Sequence, residues 1–198
     1  MSKRATPRRD LLLATAARLF NAEGFRKTGI DLILAESGVS KATLYKHFRS
    51  KEALILAVLE WRHQTFADTL MSAMDTALEA AAGDVRDQVL VNTLFEQLAV
   101  WFANDDFNGC YFIRACLEYG ISDEDVRACS VAHKVSLQDF IAKRLSQVDE
   151  AERESLARQL LVLMDGAIVH AQMGVQADAA AVAGQAGSAL LQAYLMRR

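Results

Sequence analysis

Lys41, Thr43, Tyr45, Lys46 and His47 fall within seven consecutive residues, and each carries a hydrogen-bond donor. Placed on one short helix, they form a dense row of donors on a body narrow enough to enter a DNA major groove, where base edges are read by hydrogen bonds. A second reactive type is cysteine, present as Cys110, Cys116 and Cys129. The Gly109-Cys110 pair is expected to open a helix, with Arg114 one turn on. A helix start and a nearby cation both favour a thiolate, which makes Cys110 the candidate thiol sensor. Its plain alternative is a small apolar side chain packed at a helix start.

Other chemistries find little support. No Ser/His/Asp or Cys/His spacing, phosphate-cradling glycine loop or metal-ligand cluster is evident. An enzyme using Cys110 as a transferase nucleophile is therefore the weaker reading, and no cofactor or metal is expected. Three cysteines without a CxxC pair do not make a disulfide framework. No charged-then-apolar leader and no run of 18 apolar residues is present, so a cytoplasmic protein without a membrane partner is expected.

The elements that would hold the donor row are all helical. Hydrophobic residues make up 52% of the 198-residue chain, enough for a sizeable core, and proline occurs once. Good helix formers abound and no alternating strand pattern recurs, which gives an all-α class. Leu12, Thr15, Ala16, Leu19 and Phe20 form a helical stripe that Gly24 ends. Thr28 is placed to cap a second helix running to Ser37-Gly38, where the turn calls for φ > 0 at Gly38. Ala35 allows close approach of the paired helices, and Val39 and Leu44 fill the angle between them. Ser40 is placed to cap a helix over Lys41–His47. A long helix follows Ser50 into the 70s. Further helices are expected over 85–103, 109–119, 123–146, 150–174 and 178–196, about nine in all.

Charge is divided along the chain. Residues 1–60 hold 11 Lys/Arg against 6 Asp/Glu, whereas the remainder is net acidic. A basic N-terminal part suits a polyanionic partner, and Lys3, Arg4, Arg8 and Arg9 read as a basic arm.

The stretch from about residue 10 to 62 resembles the DNA-binding domain of the TetR/AcrR family of transcriptional regulators. The matching pieces are Ala16-Ala17-Arg18-Leu19-Phe20, Glu23-Gly24-Phe25, Thr28 and Ala35-Glu36-Ser37-Gly38-Val39-Ser40. Lys41, Thr43-Leu44-Tyr45, His47-Phe48 and Ser50-Lys51-Glu52-Ala53-Leu54 follow in the family's order and spacing. Ala42 stands where the family often has glycine. The resemblance covers about a quarter of the chain and implies a three-helix helix-turn-helix domain, residues 1–50, joined to a helical effector-binding and dimerisation domain, residues 51–198. It further implies that Lys41 and Thr43 read base edges of double-stranded operator DNA. Thr28, Tyr45, His47 and Lys51 would hold phosphates, with Ser40 and Lys46 beside them.

One helix-turn-helix covers too little DNA for high specificity, so a homodimer is expected. The resemblance places its four-helix seam on the last two helices, through Leu156, Leu160, Leu163 and Ala167 and through Ala186, Ala189, Leu190 and Ala193. A small, mostly apolar effector would meet Phe66, Trp101, Phe112, Arg114, His133 and Asp165. The same aromatics suit an ordinary core, and Arg114 and Glu118, at i and i+4, suit a simple ion pair. The resulting expectation is a repressor released from a palindromic operator by that effector. The alternatives are a repressor triggered by electrophile or oxidant modification of Cys110, and a DNA-bound scaffold with no effector.

Overall fold

A computed structural model of the chain describes residues 7–120 and 123–197, with the backbone alone of Ala67. Lys3 and Arg4 of the expected basic arm lie outside these residues. Among the described residues every regular element is helical. The order is α1 (Pro7–Glu23), α2 (Ile30–Ser37), α3 (Lys41–His47), α4 (Lys51–Ala80), a 3₁₀ turn (Gly83–Val85), α5 (Arg86–Phe102), α6 (Tyr111–Tyr119), α7 (Glu124–Arg144), α8 (Glu150–Gln172) and α9 (Ala179–Leu195). The last five helices begin and end within two residues of the spans read from periodicity. Arg8 and Arg9 belong to α1 rather than to an extended arm, and the Arg9 guanidinium lies 5.4 Å from the Phe48 ring centroid.

The chain forms two compact units, one of Met1–Gln64 with Cys110–Val131, the other of Thr65–Gly109 with Ala132–Arg198. The unit that contains α1–α3 is thus discontinuous. It passes residue 50 into α4 and takes in α6 and the start of α7, because α6 packs on the end of α1.

In the first unit, Leu12, Ala16 and Phe20 of α1 are fully buried with Phe25, Ile33, Leu44, Leu54 and Ile55. The Phe20 and Phe25 rings stack with centroids 5.0 Å apart. Gly24 ends α1 at φ +90°, its N–H donating to Phe20 O at 3.0 Å. Gly38 ends α2 at φ +64°, as the turn required. Val39 and Leu44 are buried in the angle between α2 and α3, whereas Ala35 is exposed and does not mediate close approach.

In the second unit, α9 packs on both α5 and α8. The approach is close at Gly187, where a Cβ would stand 2.8 Å from Phe95 Cε2 and 3.1 Å from Leu160 Cδ2. The α7–α8 connection is held by Asp87, a fully buried carboxylate at the start of α5. It accepts from Ser146 N (2.8 Å), Ser146 Oγ (3.0 Å), Gln147 N (2.9 Å) and Val148 N (3.1 Å). Gln147 returns the contact by accepting from Asp87 N at 3.0 Å. A buried charge is tolerated only when its lone pairs are met in this way, and removing it leaves several backbone donors without a partner. Asp87→Ala is expected to lower the unfolding free energy by about 3 kcal/mol. Urea unfolding checks this through a lower midpoint at unchanged slope; an unmoved midpoint would show that water replaces the carboxylate without cost.

Candidate functional site

The donor row is set by an exposed helix cap and one buried leucine. Ser40 Oγ accepts from Thr43 N at 3.3 Å and lies 2.9 Å from Thr43 Oγ1, capping α3 as its sequence position required. Leu44 is fully buried, and α3 packs on α1. With that face fixed, Lys41, Tyr45 and Lys46 are exposed, and Thr43 and His47 are half-exposed. The His47 ring lies 6.4 Å from that of Phe48. Lys41 Nζ stands 3.9 Å from Asp31 Oδ1 of α2.

Thr28 is placed differently from expectation. The residue flanking α2 as its cap is Gly29, with no side-chain bond, and Thr28 is fully buried. Its hydroxyl points back to Gly24 O at 2.7 Å, with Leu19 O at 3.3 Å. That hydroxyl serves the turn after α1 and is not presented to a phosphate.

Lys51 is also engaged. Its ammonium donates to Arg26 O at 3.2 Å and lies 5.9 Å from the Tyr119 ring centroid. Desolvation lowers its pKa, with the Arg26 charge adding to the effect and Glu52 and Glu118 opposing it. Tyr119 also carries the Arg26 guanidinium, 5.5 Å from its centroid, and desolvation raises its phenol pKa.

These contacts belong to a junction that sequence reasoning missed. Tyr111, Arg114 and Glu118 recur at i, i+3 and i+7, one face of α6. Tyr111 OH donates to Ala17 O at 2.8 Å. Arg114 donates to Phe20 O (3.3 Å) and Asn21 O (2.7 Å), carbonyls in the last turn of α1. Glu118 Oε2 accepts from Arg26 N at 2.6 Å, and Arg26 Nε donates to Glu118 O. Gly24 leaves room for that carboxylate, since a Cβ there would stand 2.9 Å from Glu118 Oε1. Arg114 and Glu118 therefore do not pair with each other; each binds backbone at the end of α1 or the turn that follows it. The one local signal was a charged pair set among apolar residues.

The six effector candidates are shared between the two compact units. Phe112 and Arg114 belong to the first compact unit, and Phe66, Trp101, His133 and Asp165 to the second. In the second, Phe66 meets the buried His133 edge-on at 5.7 Å, and Asp165 pairs with Lys134 across α7 and α8. Trp101 packs edge-on against Phe107 at 5.1 Å.

Cys110 is buried as the N-cap of α6, and the Arg114 guanidinium that was expected to activate it is committed to the α1 carbonyls. Burial, with Glu60 adding to it, pushes the Cys129 thiol up, away from thiolate chemistry. No group of three or more His, Cys, Asp or Glu fit to hold a metal ion occurs among the described residues. No described helix is long and apolar enough to cross a membrane.

The seam candidates also separate. Leu156, Leu160 and Ala167 are buried inside their own protomer, because that face of α8 packs on α5 and α9. Leu163 and Leu190 are half-buried, and Ala186, Ala189 and Ala193 are exposed. The open apolar positions of α8 are instead Val162, Gly166 and Val169, and those of α9 include Val182.

A capped recognition helix behind a left-handed glycine turn, in an all-helical chain, defines a helix-turn-helix protein. Residues 12–58 match the model for "Bacterial regulatory proteins, tetR family". The helix-turn-helix part of the chain is thus of the TetR type. It is 29% identical over 169 residues to the HTH-type transcriptional regulator YerO of Bacillus subtilis, covering 85% of this chain and 55% of that protein. It is 30% identical over 121 residues to the HTH-type transcriptional repressor NemR of Escherichia coli, covering 61% of this chain and 58% of that one. The chain thus spans a little over half the length of these two relatives. A crystal structure of a TetR-family transcriptional regulator from Streptomyces coelicolor superposes with a TM-score of 0.82 at 28% identity, over 96% of this chain and 91% of that one. The reduced form of Escherichia coli NemR superposes with a TM-score of 0.78 at 22% identity over 92% and 95%, a likeness of fold.

The placement of Thr28 separates two roles. Thr28→Val is expected to lower stability by about 1 kcal/mol and to leave the salt dependence of DNA binding unchanged. A shallower salt slope in fluorescence-anisotropy titrations would return Thr28 to the phosphate contacts.

Proposed function

We propose that the chain is a sequence-specific DNA-binding transcriptional regulator, a repressor released from a palindromic operator by a small, mostly apolar effector. The observation that carries this reading is the exposed donor row of α3, held outward by the Ser40 cap and the buried Leu44. In this reading α3 enters the major groove. Lys41 and Thr43, at its N-terminal end, meet base edges, while Tyr45, Lys46 and His47 meet the flanking backbone. Lys51 joins them by exchanging the Arg26 carbonyl for a phosphate.

Two protomers are needed to present two recognition helices to successive major grooves, about 34 Å apart. Val162, Gly166 and Val169 on α8 recur at i, i+4 and i+7, as do Val182, Ala186 and Ala189 on α9, with Ala193 one turn further. These open apolar faces support a seam between copies, and the small residues suit close helix approach. Effector binding would act by favouring a protomer arrangement whose recognition helices no longer match the groove spacing. Helix α6 supports a route for that change, since its three polar contacts grip the end of α1 and the turn leading to α2.

Gel-shift titration against DNA from immediately upstream of the gene tests the reading. A sequence-specific shift is expected whose log affinity falls with log salt by about 0.9 per phosphate contacted; binding indifferent to sequence and salt would overturn it. Thr43→Ala is expected to relax preference at one operator position, by about 1–3 kcal/mol of lost discrimination. Ala189→Glu is expected to turn a dimer into a monomer in sedimentation runs and to abolish the specific shift. An unchanged sedimentation coefficient would remove α9 from the seam.

A second trigger is favoured by one observation, that Cys110 caps the helix whose far end holds Arg26. Modification of this thiol would then loosen DNA binding. A thiol reagent that releases wild-type protein and spares Cys110→Ser would support it, and release of both would exclude it. A chain that binds operator yet responds to neither small molecules nor thiol reagents would act as a scaffold.

A further inference from the structure

Between the end of α1 and the start of α4, residues 24–51 carry six Lys or Arg but only two acids, Asp31 and Glu36. Glu36 has a place in the fold, since its carboxylate pairs with Arg18 of α1 at 2.7 Å. Asp31 has none comparable. Its side chain is 93% exposed, and its one described partner is the Lys41 ammonium, at 3.9 Å. Asp31 does not cap α2, whose flanking residue is Gly29. Whatever Lys41 touches on DNA will therefore have a free carboxylate beside it. On a surface that approaches a polyanion, such a charge weakens every phosphate contact made nearby.

The charge is tolerable where the partner is a base edge. At 3.9 Å the ammonium is paired with Asp31 by charge and not by a hydrogen bond, so its donors can reach the acceptors of a guanine edge while the carboxylate stays beside it. A phosphate taken by Lys41 instead brings two anions together. We propose that Asp31 is a specificity-determining positioning residue: its carboxylate holds the Lys41 ammonium for a base edge and penalises its use on a phosphate, so that operator is favoured over other duplex. This inference rests on the DNA-binding reading above. The contrasting role is a negative charge in the first turn of α2, which steadies the helix through its dipole. Loss of that role would move stability and leave the choice of DNA alone.

The test uses the full-length protein and two probes, a duplex enriched by the wild-type protein from a random-sequence library and a random-sequence duplex. Asp31→Asn is expected to tighten binding to the random duplex by about threefold to tenfold and to steepen its salt slope by about 0.9, as Lys41 gains a phosphate. Affinity for the enriched duplex should not rise, so the ratio of the two affinities falls. In a Lys41→Gln background the same substitution should leave that ratio where it is, and thermal unfolding of each variant follows any dipole effect separately. Equal tightening on both duplexes would overturn the proposal, as would a ratio that falls equally without Lys41. If selection enriches no sequence at all, the DNA-binding reading falls and this inference with it. An enriched sequence whose preference Asp31→Asn leaves untouched removes Asp31 alone.

Discussion

A glutamate carboxylate seated in a glycine turn sets the geometry of the reading unit. Gly24 turns the chain at a φ that side chains rarely adopt, and Glu118 occupies the space its missing Cβ leaves. From there the carboxylate takes the Arg26 amide, and Arg26 takes the Glu118 carbonyl in return. Each contact is exposed, and a single exposed hydrogen bond contributes little. The junction gains its strength from repetition, because Tyr111 and Arg114 on the same face of α6 bind the carbonyls of α1 one and two turns earlier. The end of α1, the start of α2 and the position of Lys51 all follow from this seam.

Polar residues in the helix-turn-helix consequently divide into two populations. Lys41, Tyr45 and Lys46 point to solvent because Leu44 claims the opposite face of α3. Thr28 and Ser40 spend their hydroxyls on backbone, one on the carbonyl of a left-handed turn and the other on a helix start. Lys51 belongs to both, with a stem and ammonium gathered against Arg26 and Tyr119 and a charge left over for an anion. A polar side chain in such a motif is no guide to the DNA face until its backbone neighbours have been satisfied.

Local signals were legible in the sequence. The stripe of α1, the glycine at the end of α2, the Ser40 cap and the spans of the later helices all follow from spacing within one or two turns. The resemblance supplied the order of those pieces and the roles of Lys41 and Thr43. Contacts that close over long separations were not legible. Arg114 and Glu118 looked like a pair because their spacing allows one, yet the last carbonyls of α1 and the amide of Arg26 take them instead. Leu156 and Leu160 fit a stripe that suits a seam as well as a core, and only the packing of α9 against α8 decides that they lie inside. Asp87 gave no signal at all, since the amides it holds are about 60 residues away.

The discontinuity of the first compact unit bears on how this architecture can be taken apart. A fragment cut after residue 50 or 64 would keep the donor row and lose Tyr111, Arg114 and Glu118, and with them the side-chain bonds to the end of α1 and the acceptor of the Arg26 amide. The reading head is therefore not a cassette. If α3 reads DNA as proposed, exchange of its preference with that of a similar protein would have to carry the face of α6 along with the first three helices, or else confine itself to the exposed side chains of α3. Gly24 is fixed by its own φ of +90°, whatever stands at position 118, so change in this seam falls to Glu118 and the other residues of the α6 face.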